Sequence, residues 1–192
     1  MNAQEKKPGT EPGSQDEQHF YFQVDIDRAL IDETTMNNLR IMRAAWQHPT
    51  IEDAAGYCIT CAGYTETGEM LAKVLYDFAW MESRTAREML RGRGPKFSRA
   101  PKIAGQVMTV PVMLDRDQIN AETMKNLRTI CEARGFETPE IAATYCCSGT
   151  GYEYAERTFA SMLSYVSASD VIHAERYLEA HKKHDEEQEQ NE

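Results

Sequence analysis

Thr35-Met-Asn-Asn-Leu-Arg40 returns 88 residues later as Thr123-Met-Lys-Asn-Leu-Arg128, and the text around it returns with it. Asp27-Arg28 falls on Asp115-Arg116, Ala54-Ala55 on Ala142-Ala143, Tyr57-Cys58 on Tyr145-Cys146, and Gly63-Tyr64 on Gly151-Tyr152. Without any gap, 21 of the 64 positions from 27 to 90 are identical to their counterparts, which we read as a tandem duplication. Each reading of one copy can therefore be checked against the other.

Ahead of the repeated segment, Phe20, Phe22, Val24 and Ile26 alternate with Tyr21, Gln23, Asp25 and Asp27. Val110, Val112 and Leu114 alternate likewise with Thr109, Pro111 and Met113. A period of two with one apolar face predicts a strand at the head of each unit. Asp32 and Asn120 are N-cap residues at the same register. Met36, Leu39, Met42 and Trp46 follow the first at helical spacing, and Met124, Leu127 and Ile130 the second. A second helix opens at Thr50 or Thr138: Thr50-Ile-Glu-Asp53 has the form of a capping box, and Pro139 suits a first turn. Ala54, Ala55 and Cys58 (Ala142, Ala143 and Cys146) give that helix a small-residue side, and Gly63 or Gly151 is placed to end it. A third helix carries Leu71, Leu75 and Phe78, matched by Phe159, Leu163 and Val166.

A lone strand cannot satisfy its backbone within its own unit. Strand 21–27 is thus expected to pair with strand 109–115 across a pseudo-two-fold axis. The expected fold is mainly α with a small two-stranded antiparallel ribbon, two β-α-α-α units forming one body. The expected boundaries are a disordered arm (1–18), a first unit (19–91), a basic linker (92–105), a second unit (106–180) and an acidic disordered tail (181–192).

The net charge of −10 disfavours a generic nucleic-acid coat, and about half of it lies in the two ends. No run of 18 apolar residues exists and residues 1–18 lack an apolar signal-type stretch, so a cytoplasmic, non-membrane protein is expected. Five cysteines, two of them adjacent, do not form a disulfide framework. Cys58-x-x-Cys61 with His48 nearby is not repeated in the second copy, so buried packing cysteines are expected rather than a metal site. There is no Gly-rich phosphate loop, nucleophile elbow or repeated carboxylate pair, hence no expected catalytic residue, cofactor or small-molecule substrate.

Strand 110–114, Glu122-Thr-Met-Lys-Asn-Leu-Arg128 and Thr138-Pro-Glu-Ile-Ala-Ala143 together resemble the ribbon-helix-helix family of the MetJ/Arc type. The resemblance covers the strand and first two helices of each copy; the third helices depart from it. It implies a regulatory, non-enzymatic protein that lays its ribbon in the major groove of double-stranded DNA, or a nucleoprotein-assembly factor. The positions it makes base readers are Tyr21, Gln23 and Asp25 with Thr109, Pro111 and Met113, of which Tyr21, Gln23 and Thr109 suit the task. Arg91, Arg93, Lys96, Arg99 and Lys102 in the linker would track phosphates. Against this stand the carboxylates Glu52, Asp53 and Glu140, which crowd the helix ends where the family holds a phosphate. The alternative is an acidic adaptor that keeps the fold without binding DNA and docks a protein partner on its third helices. The repeated Asp27-Arg28, Asn38/Arg40 and Asn126/Arg128 are expected to cap and salt-bridge the strand–helix turn.

Overall fold

His19–Asp27 (β1) and Val107–Asp115 (β2) form one antiparallel ribbon in which Phe22 faces Val112, Gln23 faces Pro111 and Val24 faces Val110. Gln23 and Pro111 occupy the same position in the two repeats, so the axis relating the halves passes through the middle of the ribbon. The computed structural model describes residues 18–60, 65–93, 106–148 and 153–189. Residues 1–17 of the expected arm, 94–105 of the expected linker and 190–192 of the expected tail, with Gly63 and Gly151, lie outside the described residues.

Each strand is followed by a one-turn 3-10 segment (Arg28–Leu30 and Arg116–Gln118). Helices α1 (Glu33–Ala45), α2 (Ile51–Thr60) and α3 (Thr65–Leu90) complete the first half. Helices α4 (Ala121–Arg134), α5 (Pro139–Ser148) and α6 (Glu153–Glu189) complete the second. The caps sit where the sequence places them. Asp32 accepts from the Thr35 N–H at 2.7 Å and Asn120 from the Thr123 N–H at 2.8 Å. Thr50 and Asp53 close a reciprocal box, with N–H···O distances of 3.1 and 3.0 Å. Asp27 caps its 3-10 turn through the Ala29 N–H at 2.9 Å.

The eight inward side chains of the ribbon, Phe20 to Ile26 and Met108 to Leu114, are all buried. What covers them comes from both repeats at once. α3 packs on α4 and α6 on α1, so each third helix lies against the first helix of the other half. Phe78 of α3 meets Phe159 of α6, ring centres 6.2 Å apart. The two repeats share a single core, and neither half has a core of its own.

Both strands are edge strands, and the edges are closed in the same crossed fashion, α5 lying on β1 and α2 on β2. Unpaired edge groups are costly and invite foreign strands. The backbone of Gln23 points away from β2, and α5 seals it: its N–H donates to Thr144 Oγ1 (3.1 Å), and Ser148 Oγ donates to its carbonyl (2.8 Å). The matching residue in β2 is Pro111, which has no N–H to satisfy, and the residue matching Thr144 is Gly56. A Cβ on Gly56 would lie 2.3 Å from the Pro111 carbonyl oxygen, so α2 approaches β2 more closely than any side chain permits. On this side neither the donor nor its acceptor is present.

Two helix ends differ from the sequence expectation or from each other. Residues 181–189, expected as a disordered tail, continue α6. The comparison with α3 supplies the reason. α3 stops because Gly92 turns left-handed (φ 71), its N–H bonding Met89 O and the Arg93 N–H bonding Glu88 O, a Schellman closure. The matching residue in α6 is Ala180, and the Lys, Glu and Gln that follow are good helix formers. At the ends of α1 and α4 the left-handed position is Gln47 (φ 55) in one half and Gly135 (φ 71) in the other.

Gly56→Ala is expected to destabilise the protein by about 1–3 kcal/mol through overpacking, and Thr144→Val by about 1 kcal/mol through the lost edge bond, both read from chemical denaturation. Gln47→Gly should stabilise by about 0.5–1 kcal/mol, relieving a left-handed side-chain residue; an unchanged or lower midpoint would contradict the strain.

Candidate interaction surfaces

The outer face of the ribbon presents Tyr21, Gln23, Thr109 and Pro111 to solvent, with Asp25 and Met113 half-buried. Asp25 and Thr109 are direct cross-strand partners, and the Thr109 hydroxyl donates to Asp25 Oδ1 at 2.7 Å. One of the three candidate readers therefore has its donor in use. At one end of the ribbon, His19 Nδ1 lies 3.1 Å from Asp115 Oδ1.

The cations beside this face are tied as well. Arg28 reaches Glu52 Oε1 at 2.6 Å, and Arg116 reaches Glu140 Oε1 at 2.8 Å, the same bridge in both halves. Glu52 and Glu140 lie in the first turns of α2 and α5, where an anion would otherwise find free N–H groups. The Asp27-Arg28 pair does hold the strand–helix turn as expected. Asn126 does something else: buried, it accepts from Arg87 Nη2 at 2.8 Å and ties α4 to α3, while Arg40 and Arg128 are exposed.

Of the linker cations, Lys96, Arg99 and Lys102 lie outside the described residues. Arg91 and Arg93 both turn back onto Glu88, at 2.7 and 3.6 Å. They join Arg84 and Arg87 around an open groove of about 750 Å³ at the C-terminal end of α3, with Met81 on its wall. That groove is lined by no ribbon residue, so it does not bring the strand candidates and the linker arginines together.

The third helices, which the alternative reading makes a docking face, carry an apolar surface at residues that the sequence analysis did not name. Its stripe of Leu71, Leu75, Phe78, Phe159, Leu163 and Val166 is buried, as expected. On the opposite side, Trp80 is 41% exposed, Met81 38%, Ile172 48% and Tyr165 74%. Arg84 lies over the Trp80 ring, 5.2 Å from its centre. Tyr165 and Ile172 are two turns apart on one helix face, a spacing visible in the sequence once the buried stripe has been subtracted.

Beneath that surface, each third helix buries a carboxylate at one repeated position, Glu82 and Asp170. Glu82 has Arg134 Nη2 at 3.4 Å, and the Arg134 guanidinium stacks 4.4 Å from the Tyr145 ring centre. The residue matching Arg134 is Trp46, so Asp170 has no such cation, and its Oδ2 is buried without a hydrogen-bond partner. Burial pushes the Asp170 carboxyl above its ordinary range, with His173 pulling the other way. Burial, with Asp170 adding to it, pushes the Cys58 thiol up to about 12, and the buried Cys58 packs against Met42. Cys146 and Cys147 are buried too, and Cys61 lies outside the described residues. Among the described residues, no three His, Cys, Asp or Glu side chains converge to hold a metal ion, and no helix is long and apolar enough to cross a membrane.

No protein-family model, no curated protein and no solved structure matches this chain.

One repeated position thus predicts opposite effects in the two halves. Glu82→Gln, which removes the carboxylate facing the half-buried Arg134, is expected to cost about 1–3 kcal/mol. Asp170→Asn is expected to stabilise at pH 7. The folded carboxyl holds its proton more tightly than the unfolded one, so its penalty is full above the raised folded value and absent below the unfolded value near 4. The advantage of Asp170→Asn should accordingly shrink as pH falls toward 4, checked by melting at stepped pH.

Proposed function

We propose that the protein is a non-enzymatic interaction module: a ribbon-helix-helix-type body that docks protein partners on the outward faces of its third helices. The observation that carries this reading is the concentration of exposed Trp80, Met81, Tyr165 and Ile172 there, on helices whose inner faces already have a core. Large exposed apolar side chains grouped on rigid elements are what protein interfaces are made of. Four arginines at the end of α3 add a charged rim.

The DNA reading has less to stand on. Strand-in-groove recognition needs free donors and a cationic surround. The ribbon face offers Gln23 and Tyr21, a Thr109 engaged by Asp25, and two arginines each held by a glutamate. Arg91 and Arg93 line a groove that contains no ribbon residue.

Two parallel assays separate these readings. The chain purified from cells is expected to retain a partner protein that is lost from Tyr165→Asp/Ile172→Asp and kept by Gln23→Ala/Thr109→Ala. A mobility-shift titration with duplex DNA should show no salt-sensitive complex. A complex that weakens with salt and disappears in Gln23→Ala/Thr109→Ala, with no face-dependent partner, would replace this reading by the DNA one.

A further inference from the structure

The outward faces of α3 and α6 are complementary to each other, position by position. Lys73, Asp77, Trp80, Arg84, Arg87 and Arg91 recur at steps of four and three residues, the spacing of a coiled-coil seam. All are exposed except Arg87, which is half-buried and opens on the α3 groove. Eighty-eight residues on, the same offsets in α6 are occupied by Ser161, Tyr165, Ala168, Ile172, Glu175 and Glu179, all exposed.

Where α3 has Trp80 and Met81, α6 has Ala168 and Ser169, so a bulge on one face meets a gap on the other. The gap is walled by Tyr165 and Ile172, which are among the most exposed apolar side chains of the protein. Charge is inverted over the next turns: Arg87, Glu88 and Arg91 stand where α6 has Glu175, Arg176 and Glu179. Asp77 would meet the Tyr165 hydroxyl, a donor for its carboxylate.

These matches cannot be used within one chain, because α3 packs on α4 and α6 on α1 with both outer faces turned to solvent. We propose that the occupant of each face is a second copy of this chain, α3 of one molecule lying parallel and in register along α6 of the next. This rests on the docking reading above and names the partner. Parallel register brings Arg87, already bonded to Asn126 through Nη2, beside Glu175, and lets Arg91 exchange its exposed bridge to Glu88 for Glu179. Parallel like-on-like pairs are opposed by charge, since α3 on α3 stacks arginines and α6 on α6 stacks glutamates at those layers. Because each copy presents one face of each kind, the contact is head-to-tail. It leaves a free face at both ends and builds open chains unless the rotation closes a ring.

Sedimentation of the full chain over a range of concentrations tests this. The wild type is expected to grow beyond a dimer as concentration rises. Trp80→Glu/Arg91→Glu keeps a sound α6 face, and Ile172→Arg/Glu179→Arg keeps a sound α3 face. Each alone should associate roughly tenfold or more weakly. Mixed in equal amounts, they should form a one-to-one dimer that does not grow. All four positions are exposed, and an unchanged far-ultraviolet melt confirms that each variant is folded. Arg91→Glu and Glu179→Arg placed in the same chain should restore association that either alone weakens. A wild type that stays monomeric at high concentration overturns the proposal, as does association that these variants leave unchanged. If the chain is monomeric yet still captures a partner dependent on Tyr165 and Ile172, self-pairing fails and the docking reading stands; if that capture is absent too, both fail.

Discussion

Everything in this structure depends on one pairing, the antiparallel contact of β1 with β2 about Gln23 and Pro111. A single strand in each repeat leaves a full row of backbone groups unsatisfied, and among the described residues the matching row lies in the other repeat. Once the strands pair, the crossed packing follows. The inward side chains of both strands form one apolar floor, and the helices of either repeat can cover only part of it. α5 then reaches β1 and α2 reaches β2, each closing the edge that the partner repeat left open. The two halves therefore fold around one shared core.

Joining the halves releases them from identity, and the differences are paired. Pro111 lacks the N–H that Gln23 has, and Gly56 lacks the hydroxyl with which Thr144 receives it. Arg134 accompanies Glu82, while Trp46 accompanies an Asp170 whose carboxyl is pushed toward the neutral form. Gly92 ends α3, and Ala180 lets α6 run on to Glu189. In a symmetric homodimer, none of these positions could change on one side alone. The same freedom allows the third helices to carry unlike outer faces.

Much of the fold is legible in the sequence because its signals are local and occur twice. Alternation marks the strands, Asp32 and Asn120 mark the first helices, and the Thr50–Asp53 box marks the second. The pairing register is not legible: a two-fold axis requires one residue to face its own counterpart, here Gln23 and Pro111, but does not say which one. The edge closure is not legible: Thr144 and Ser148 look like any polar residues of a short helix until the opposite strand is placed beside them. The outward placement of Tyr21, Gln23 and Thr109 can be read from alternation, but the Asp25 bond that occupies Thr109 requires the register. The third helices are the hardest case. Tyr165 and Ile172 are as apolar as core residues, and only their position opposite the buried stripe sets them on the surface.

The most direct test of the pairing is the set of cross-strand Hα–Hα nuclear Overhauser effects in solution. In this register Tyr21 with Met113, Gln23 with Pro111, and Asp25 with Thr109 are the non-hydrogen-bonded pairs, whose Cα atoms approach to about 4.5 Å. Strong effects at those three pairs, and none at Phe22 with Val112, are the predicted result. Effects shifted by one residue, or absent between the strands, would contradict the pairing and the shared core built on it.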